Sequence, residues 1–155
     1  MQNAIREGRR KASDSKGAMM QAVVHRRYGG AEVLAVEKLK KPAPGPKEVL
    51  VQVRASSVNT HDWHRIIGLV VGRVQTGLLK PRDIRLGIDY AGVIEAVGEE
   101  VVGFEVGDEV YGSEQGALAE YICAQAGLAR KPTELTFEQA AAIPVAGLTA
   151  LQALR

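Results

Sequence analysis

Sulfur is nearly absent from this sequence: its 155 residues include a single cysteine, Cys123. One thiol cannot close a disulfide within the chain, and it cannot build a cysteine-rich zinc site. A reducing, cytosolic setting is therefore the default expectation. Long apolar runs are missing too. The longest fall far short of the ~20 residues that a membrane span needs. No membrane role and no nucleic-acid role is expected, because net charge is only +2 and a nucleic-acid footprint needs a dense basic surface. Even that charge is uneven. Residues 1–18 hold Arg6, Arg9, Arg10, Lys11 and Lys16 against Glu7 and Asp14, a net of +3, which leaves the remainder near −1. Residues 1–18 read as a basic, solvated and disordered leader. They lack the apolar h-region of a secretory signal. With the ordered chain expected to begin at Met20, just after Met19, an upstream start codon or an expression-tag remnant would explain them.

What remains suits one soluble domain. Its length is enough for a real core, and 46% hydrophobic with 25% charged residues is ordinary globular composition. Met20 to His25 reads as a strand, turned by Tyr28-Gly29-Gly30. Val33 to Leu39 alternates as a half-buried strand does. Pro42-Ala43-Pro44-Gly45-Pro46 is a stiff turn. Val49, Val51 and Val53 then mark a strand with one face firmly buried. Asn59 to Gly68 reads as a short helix closed by glycine. Residues 69–86 read as a loop of the kind that shapes a pocket mouth.

From Gly87 onward the pattern is β. Gly87 to Gly98 is a strand with glycines where another backbone must come close. A turn at Glu105–Asp108 leads into a strand reaching Tyr111, and Ala117–Cys123 and Leu128–Lys131 read as two more. Short strands at close spacing point to a barrel or sandwich. Thr136 then caps a helix, Pro144 opens another, and Val145 to Arg155 reads as helical to the last residue, as if an element continued.

One segment carries a family signature. Val97-Gly98-Glu99-Glu100-Val101-Val102-Gly103-Phe104-Glu105-Val106-Gly107-Asp108-Glu109-Val110-Tyr111-Gly112 resembles the pattern V-G-x-x-V-x-x-F-x-x-G-D-x-V-x-G of the medium-chain dehydrogenases/reductases, agreeing at all eight fixed positions. The Pro-Gly-Pro turn and the run from Ala141-Ala142-Ile143-Pro144 to Leu148-Thr149-Ala150 fit as well. The resemblance covers about residues 19–155. It implies a mainly β fold with short helices, a GroES-like partly open β-barrel. Residues 19–143 would be the GroES-like catalytic domain, and 144–155 the start of a helix leading to a nucleotide-binding domain. That partner domain, a Rossmann fold, is recognised by a glycine-rich turn between strand and helix. Gly68 and Gly72 follow a helix instead, so the chain holds no such turn.

Zinc decides the chemistry in this superfamily. Zinc-dependent alcohol dehydrogenases place a Cys and a His-Glu pair where this sequence has Asn59, Ile88 and Asp89. Isoleucine cannot ligate a metal, and Asn is a poor zinc ligand. The passage from Gly112 to Ala117 leaves no room for a four-cysteine structural zinc lobe. The chain instead resembles the zinc-lacking quinone oxidoreductase and enoyl reductase branch, where the motif reads much like Val58-Asn59-x-x-Asp62.

The resemblance implies NAD(P)H-dependent reduction of a quinone or an α,β-unsaturated carbonyl, with NADPH favoured and no metal. Asn59 and His64 are the candidate catalytic residues. Asn59 and Thr149 are the candidate cofactor contacts. Asp62, Trp63, Asp89 and Tyr90 are candidates for the substrate cleft. Each has a plainer reading: Asn59 as a helix cap, His64 as an exposed helix histidine, Thr149 as a core-facing residue, and Trp63 and Tyr90 as core. His61 and His64 are three apart and share a helix face, but no fourth ligand accompanies them and Asp62. Cys123 has no activating partner in sequence and reads as inert. The implied parent is a homodimer, and the chain by itself is expected to bind the cofactor weakly and to be inactive. Two other readings stay open: a non-catalytic GroES-like binding or scaffold module, and a drifted zinc-type alcohol dehydrogenase.

Overall fold

The computed structural model describes residues 17–69, 73–74, 76–125 and 127–155. The leader up to residue 16, and residues 70–72 and 75 of the expected loop, lie outside the described residues. Two antiparallel sheets make up the fold. Strand β1 (Met19–His25) pairs along its whole length with β2 (Leu34–Lys40). The larger sheet has the order β6-β3-β4-β5-β7. Its strands are β3 (Val49–Ser57), β4 (Asp89–Val97), β5 (Glu109–Ser113), β6 (Tyr121–Ala124) and β7 (Leu128–Arg130). Among the described residues they are accompanied by the helices α1 (Thr60–Ile67), α2 (Phe137–Ala141) and α3 (Pro144–Ala153) and by a 3-10 turn over Ala31–Val33; residues 73, 74 and 76, expected as part of a loop, are helical too.

Single bridges from Ala22 to Ala119 and from Val24 to Arg85 tie β1 to the segments that flank the large sheet. The result is a partly open, mainly β shell. Its main core joins Val49 and Val51 of β3, Tyr90 and Ile94 of β4, Val110 of β5 and Ile122 of β6. Burying each such side chain stabilises the fold by about 1.5–3 kcal/mol. Leu50 is buried as well, so β3 is covered on both faces at its start, more than the expected single face.

Two glycines act where the sequence reading placed demands on them. A Cβ on Gly92 of β4 would collide with the Gln52 carbonyl oxygen of β3, so only glycine lets these strands meet. Their pairing also slips between Leu50 and Val51 and again between Val53 and Ala55, and such bulges bend and twist strands. Gly68 closes α1 in the left-handed region, at φ 62°, with the Tyr28 ring packed against it.

Some elements differ from expectation. β2 is not half-buried: Leu34 is 37% and Val36 67% exposed. It is an edge strand that pairs with β1 alone. Only Tyr121–Ala124 of the expected strand over 117–123 pairs continuously. The residues before it meet β1 and the 86–87 segment through isolated bonds. α3 ends at Ala153, not at Arg155.

Candidate functional site

Strand register builds the site. Asp89 opens β4, opposite Ser57 at the end of β3 and opposite Ser113 at the end of β5. Three neighbouring strands thus deliver Ser57, Asp89 and Ser113 to one row. Beyond Ser57, the chain enters α1 through Val58 and Asn59. Beyond α2, it enters α3 through Ile143 and Pro144.

The Asp89 carboxylate is the hub. It is completely buried, and an isolated buried charge would be costly. Three donors satisfy it. Ser113 Oγ donates to Oδ1 at 3.0 Å. Asn59 Nδ2 donates to Oδ2 at 3.1 Å, and so does the Val145 backbone N–H at 3.0 Å. Pro144 is the first residue of α3 and has no N–H, so Val145 offers the first amide hydrogen of that helix. A carboxylate there also complements the positive end of the helix dipole. The Asp89 carbonyl is held as well, by Ser56 Oγ at 2.7 Å.

Asn59 is clamped at two points. Its backbone N–H donates to Asp62 Oδ2 at 2.8 Å, half of the capping arrangement at the start of α1. Its side-chain amide reaches Asp89, with Ser57 Oγ 3.4 Å away on the same nitrogen. Asn59 is half-buried. Asp62 is buried, and its Oδ1 has no hydrogen-bond partner among the described residues.

The structure therefore brings Asn59, Asp62 and Asp89 together and leaves the other candidates apart. Asp89 lies beneath the surface. Tyr90 lies in the main core, wholly buried. Burial also pushes its phenol well above the ordinary range. His61 and His64 sit exposed on α1, and Trp63 is 47% exposed beside them. Thr149 is exposed on α3, where its Oγ1 donates to the Val145 carbonyl at 2.7 Å. It stands one turn beyond the amide that Asp89 holds. Among the described residues, no three His, Cys, Asp or Glu side chains converge to hold a metal ion. Cys123 is half-buried, and burial pushes its thiol up to about 12. Ser113 and the Val145 amide belong to no motif. Only the β4–β5 register, with Asp89 opposite Ser113, could have marked the serine in advance.

Comparison with known proteins places this geometry. Residues 45–133 match the alcohol dehydrogenase GroES-like domain. The chain belongs to that family. Among relatives of the GroES-like domain is the chloroplast envelope quinone oxidoreductase homolog of Arabidopsis thaliana, 36% identical over 150 residues, which cover 89% of this chain and 43% of that protein. The quinone oxidoreductase of Coxiella burnetii superposes with a TM-score of 0.78 at 32% identity, over 88% of this chain and 44% of its own. The Escherichia coli quinone oxidoreductase, solved with NADPH, gives 0.74 at 28% identity, over 87% and 40% respectively. The chain thus spans less than half the length of these relatives, quinone oxidoreductases and a quinone oxidoreductase homolog of the medium-chain dehydrogenase/reductase superfamily. No helix among the described residues is long and apolar enough to cross a membrane.

Proposed function

We propose that this domain forms the catalytic cleft of a cytosolic reductase that uses a nicotinamide cofactor, NADPH before NADH, to reduce quinones or α,β-unsaturated carbonyls without zinc. The observation that carries this reading is the Asn59–Asp89 pair. In the superfamily's zinc enzymes these positions belong to the metal site. Here the two side chains satisfy each other, and Ile88 beside them offers no donor atom. That donor set does not fit zinc.

The nicotinamide end of a cofactor fits the same place better. Asn59 is half-buried and clamped at backbone and side chain, and its carbonyl oxygen, turned toward the Asp62 N–H in the capping box of α1, keeps a second lone pair for a ligand. α3, which carries Thr149, is fastened to the same carboxylate. When bound, the cofactor supplies hydride. The chain's own residues hold and orient it, and they exclude water from the reacting groups. A nucleotide-binding domain of the type found in the full-length relatives would hold the remainder of the cofactor, in a parent that forms a homodimer. The test is a chimera in which residues 17–155 replace the matching portion of the Coxiella burnetii enzyme. The chimera should oxidise NADPH in the presence of 1,2-naphthoquinone or an enone.

A further inference from the structure

The Asp89 network decides which atom of Asn59 faces a ligand. An amide side chain has two donors on nitrogen and one acceptor oxygen, and a carboxylate only accepts. Asp89 already receives Ser113 and Val145, and Asn59 can join it only by turning its NH2 group inward. Its second N–H points toward Ser57 Oγ. What remains is Oδ1, which faces the Asp62 backbone N–H in the capping box of α1 and has a second lone pair to offer a ligand. We propose that Asp89 is the positioning residue of this site. It fixes Asn59 so that Asn59 meets a ligand through Oδ1, as a hydrogen-bond acceptor, and it couples that orientation to the first turn of α3.

This inference rests on the reductase reading for the identity of the ligand, and it narrows the chemistry of that reading. Asn59 would take a hydroxyl or N–H donor of the cofactor or substrate. It would not stabilise the oxygen on which negative charge develops, since that oxygen needs a donor. The proton or hydrogen bond for that oxygen must come from another group. Ser113 acts one step further back, holding the second carboxylate oxygen of Asp89. α3 matters for a different reason. Its surface carries Leu148, Leu151 and Leu154 in exposed positions, and it is anchored to the large sheet's Asp89 by the Val145 amide. A tilt of α3 therefore reaches the Asn59 amide through a single carboxylate.

The test needs no cofactor. In the 155-residue chain, the Asn59 side-chain NH2 should give two separate resonances that exchange with water at least ~10-fold more slowly than a free amide. Ser113→Ala should leave the fold intact and speed that exchange. Asn59→Asp should set two carboxylates against each other and lower the melting temperature by about 5–10 °C. The swap Asn59→Asp with Asp89→Asn restores a donor–acceptor pair in reverse and loses only the Val145 bond. It should recover at least half of that fall. An Asn59 amide that exchanges freely in the parent chain, or a cooperatively folding swap no more stable than the single Asn59→Asp variant, would overturn the proposal. Should Asn59→Asp fail to fold, the Ser113→Ala exchange rate decides: no acceleration overturns it. A failure of the reductase reading shows instead in the chimera's turnover, where these amide measurements play no part.

Discussion

Lowering the pH from 7.5 to 5.5 should destabilise this domain through one residue, His25. Its ring, at the end of β1, is 1% exposed. Neither ring nitrogen has a hydrogen-bond partner among the described residues, and the Tyr28 ring stands edge-on to it at 6.3 Å between centroids. Burial, and then the nearby Arg65 guanidinium, hold its proton affinity below the ordinary value of 6.5, with Asp83 partly opposing them. The unfolded chain takes up a proton near that ordinary value, and the folded chain does so only at lower pH. Between the two, the unfolded state binds more protons, so stability rises with pH. The neutral ring's contribution is complete above about 6.5 and drains away as pH falls toward the folded-state value. One proton limits the slope to about 1.4 kcal/mol per pH unit. For a chain of this size, each kcal/mol moves the melting temperature by about 2–4 °C. His25 should therefore lower it by up to about 3–5 °C between pH 6.5 and 5.5. Thermal melts followed by circular dichroism, for the parent and His25→Phe at pH 7.5, 6.5 and 5.5, read this directly. The variant should lose that part of the acid sensitivity. Parallel curves for the two proteins would refute the reasoning.

Two further outcomes follow from burial. Ile94→Ala, in the centre of the main core, should cost about 2–5 kcal/mol by urea denaturation; an unchanged midpoint would mean that the core is assigned wrongly. Cys123, with its thiol pushed up to about 12 by burial, should react with a disulfide reagent at pH 8 at least ~100-fold more slowly in the folded chain than in urea. Prompt labelling of folded protein would contradict that microenvironment.

Local signals in the sequence carried most of the fold. The turn at Tyr28-Gly29-Gly30 bounded β1, alternation found β3, glycine at 68 closed α1, and Thr136 and Pro144 marked the starts of α2 and α3, because each depends on residues a few positions apart. Signals that depend on partners were weaker. The alternation over 33–39 is real, yet it cannot say that β2 has only β1 beside it. His25 follows buried Val24 directly, so period-two reasoning would turn it outward, whereas the end of β1 is hydrogen-bonded to Ile84 and bridged to Arg85 and lies near Arg65 of α1. The site divides along the same line. Asn59 and Asp62, three positions apart, form a capping unit, and the cap at Asn59 was legible locally. The Asp89 contacts to Ser113, Asn59 and Val145 span 24, 30 and 56 residues. Only strand register and the return of the chain to α3 create them. Thr149 was found by resemblance alone, and its hydroxyl bonds within its own helix.

As proposed, this GroES-like domain supplies a zinc-free reductase cleft organised on Asn59. The most direct measurement is steady-state NADPH oxidation by the chimera, in the presence of a strong zinc chelator, with and without 1,2-naphthoquinone, for the parent and for Asn59→Ala. Quinone-dependent turnover should be left unchanged by the chelator, and the variant should lose at least ~10-fold in kcat/KM, the scale of about 1.4 kcal/mol. A folded chimera that binds NADPH yet gives no quinone-dependent oxidation, or one that works only after zinc is restored, would contradict it.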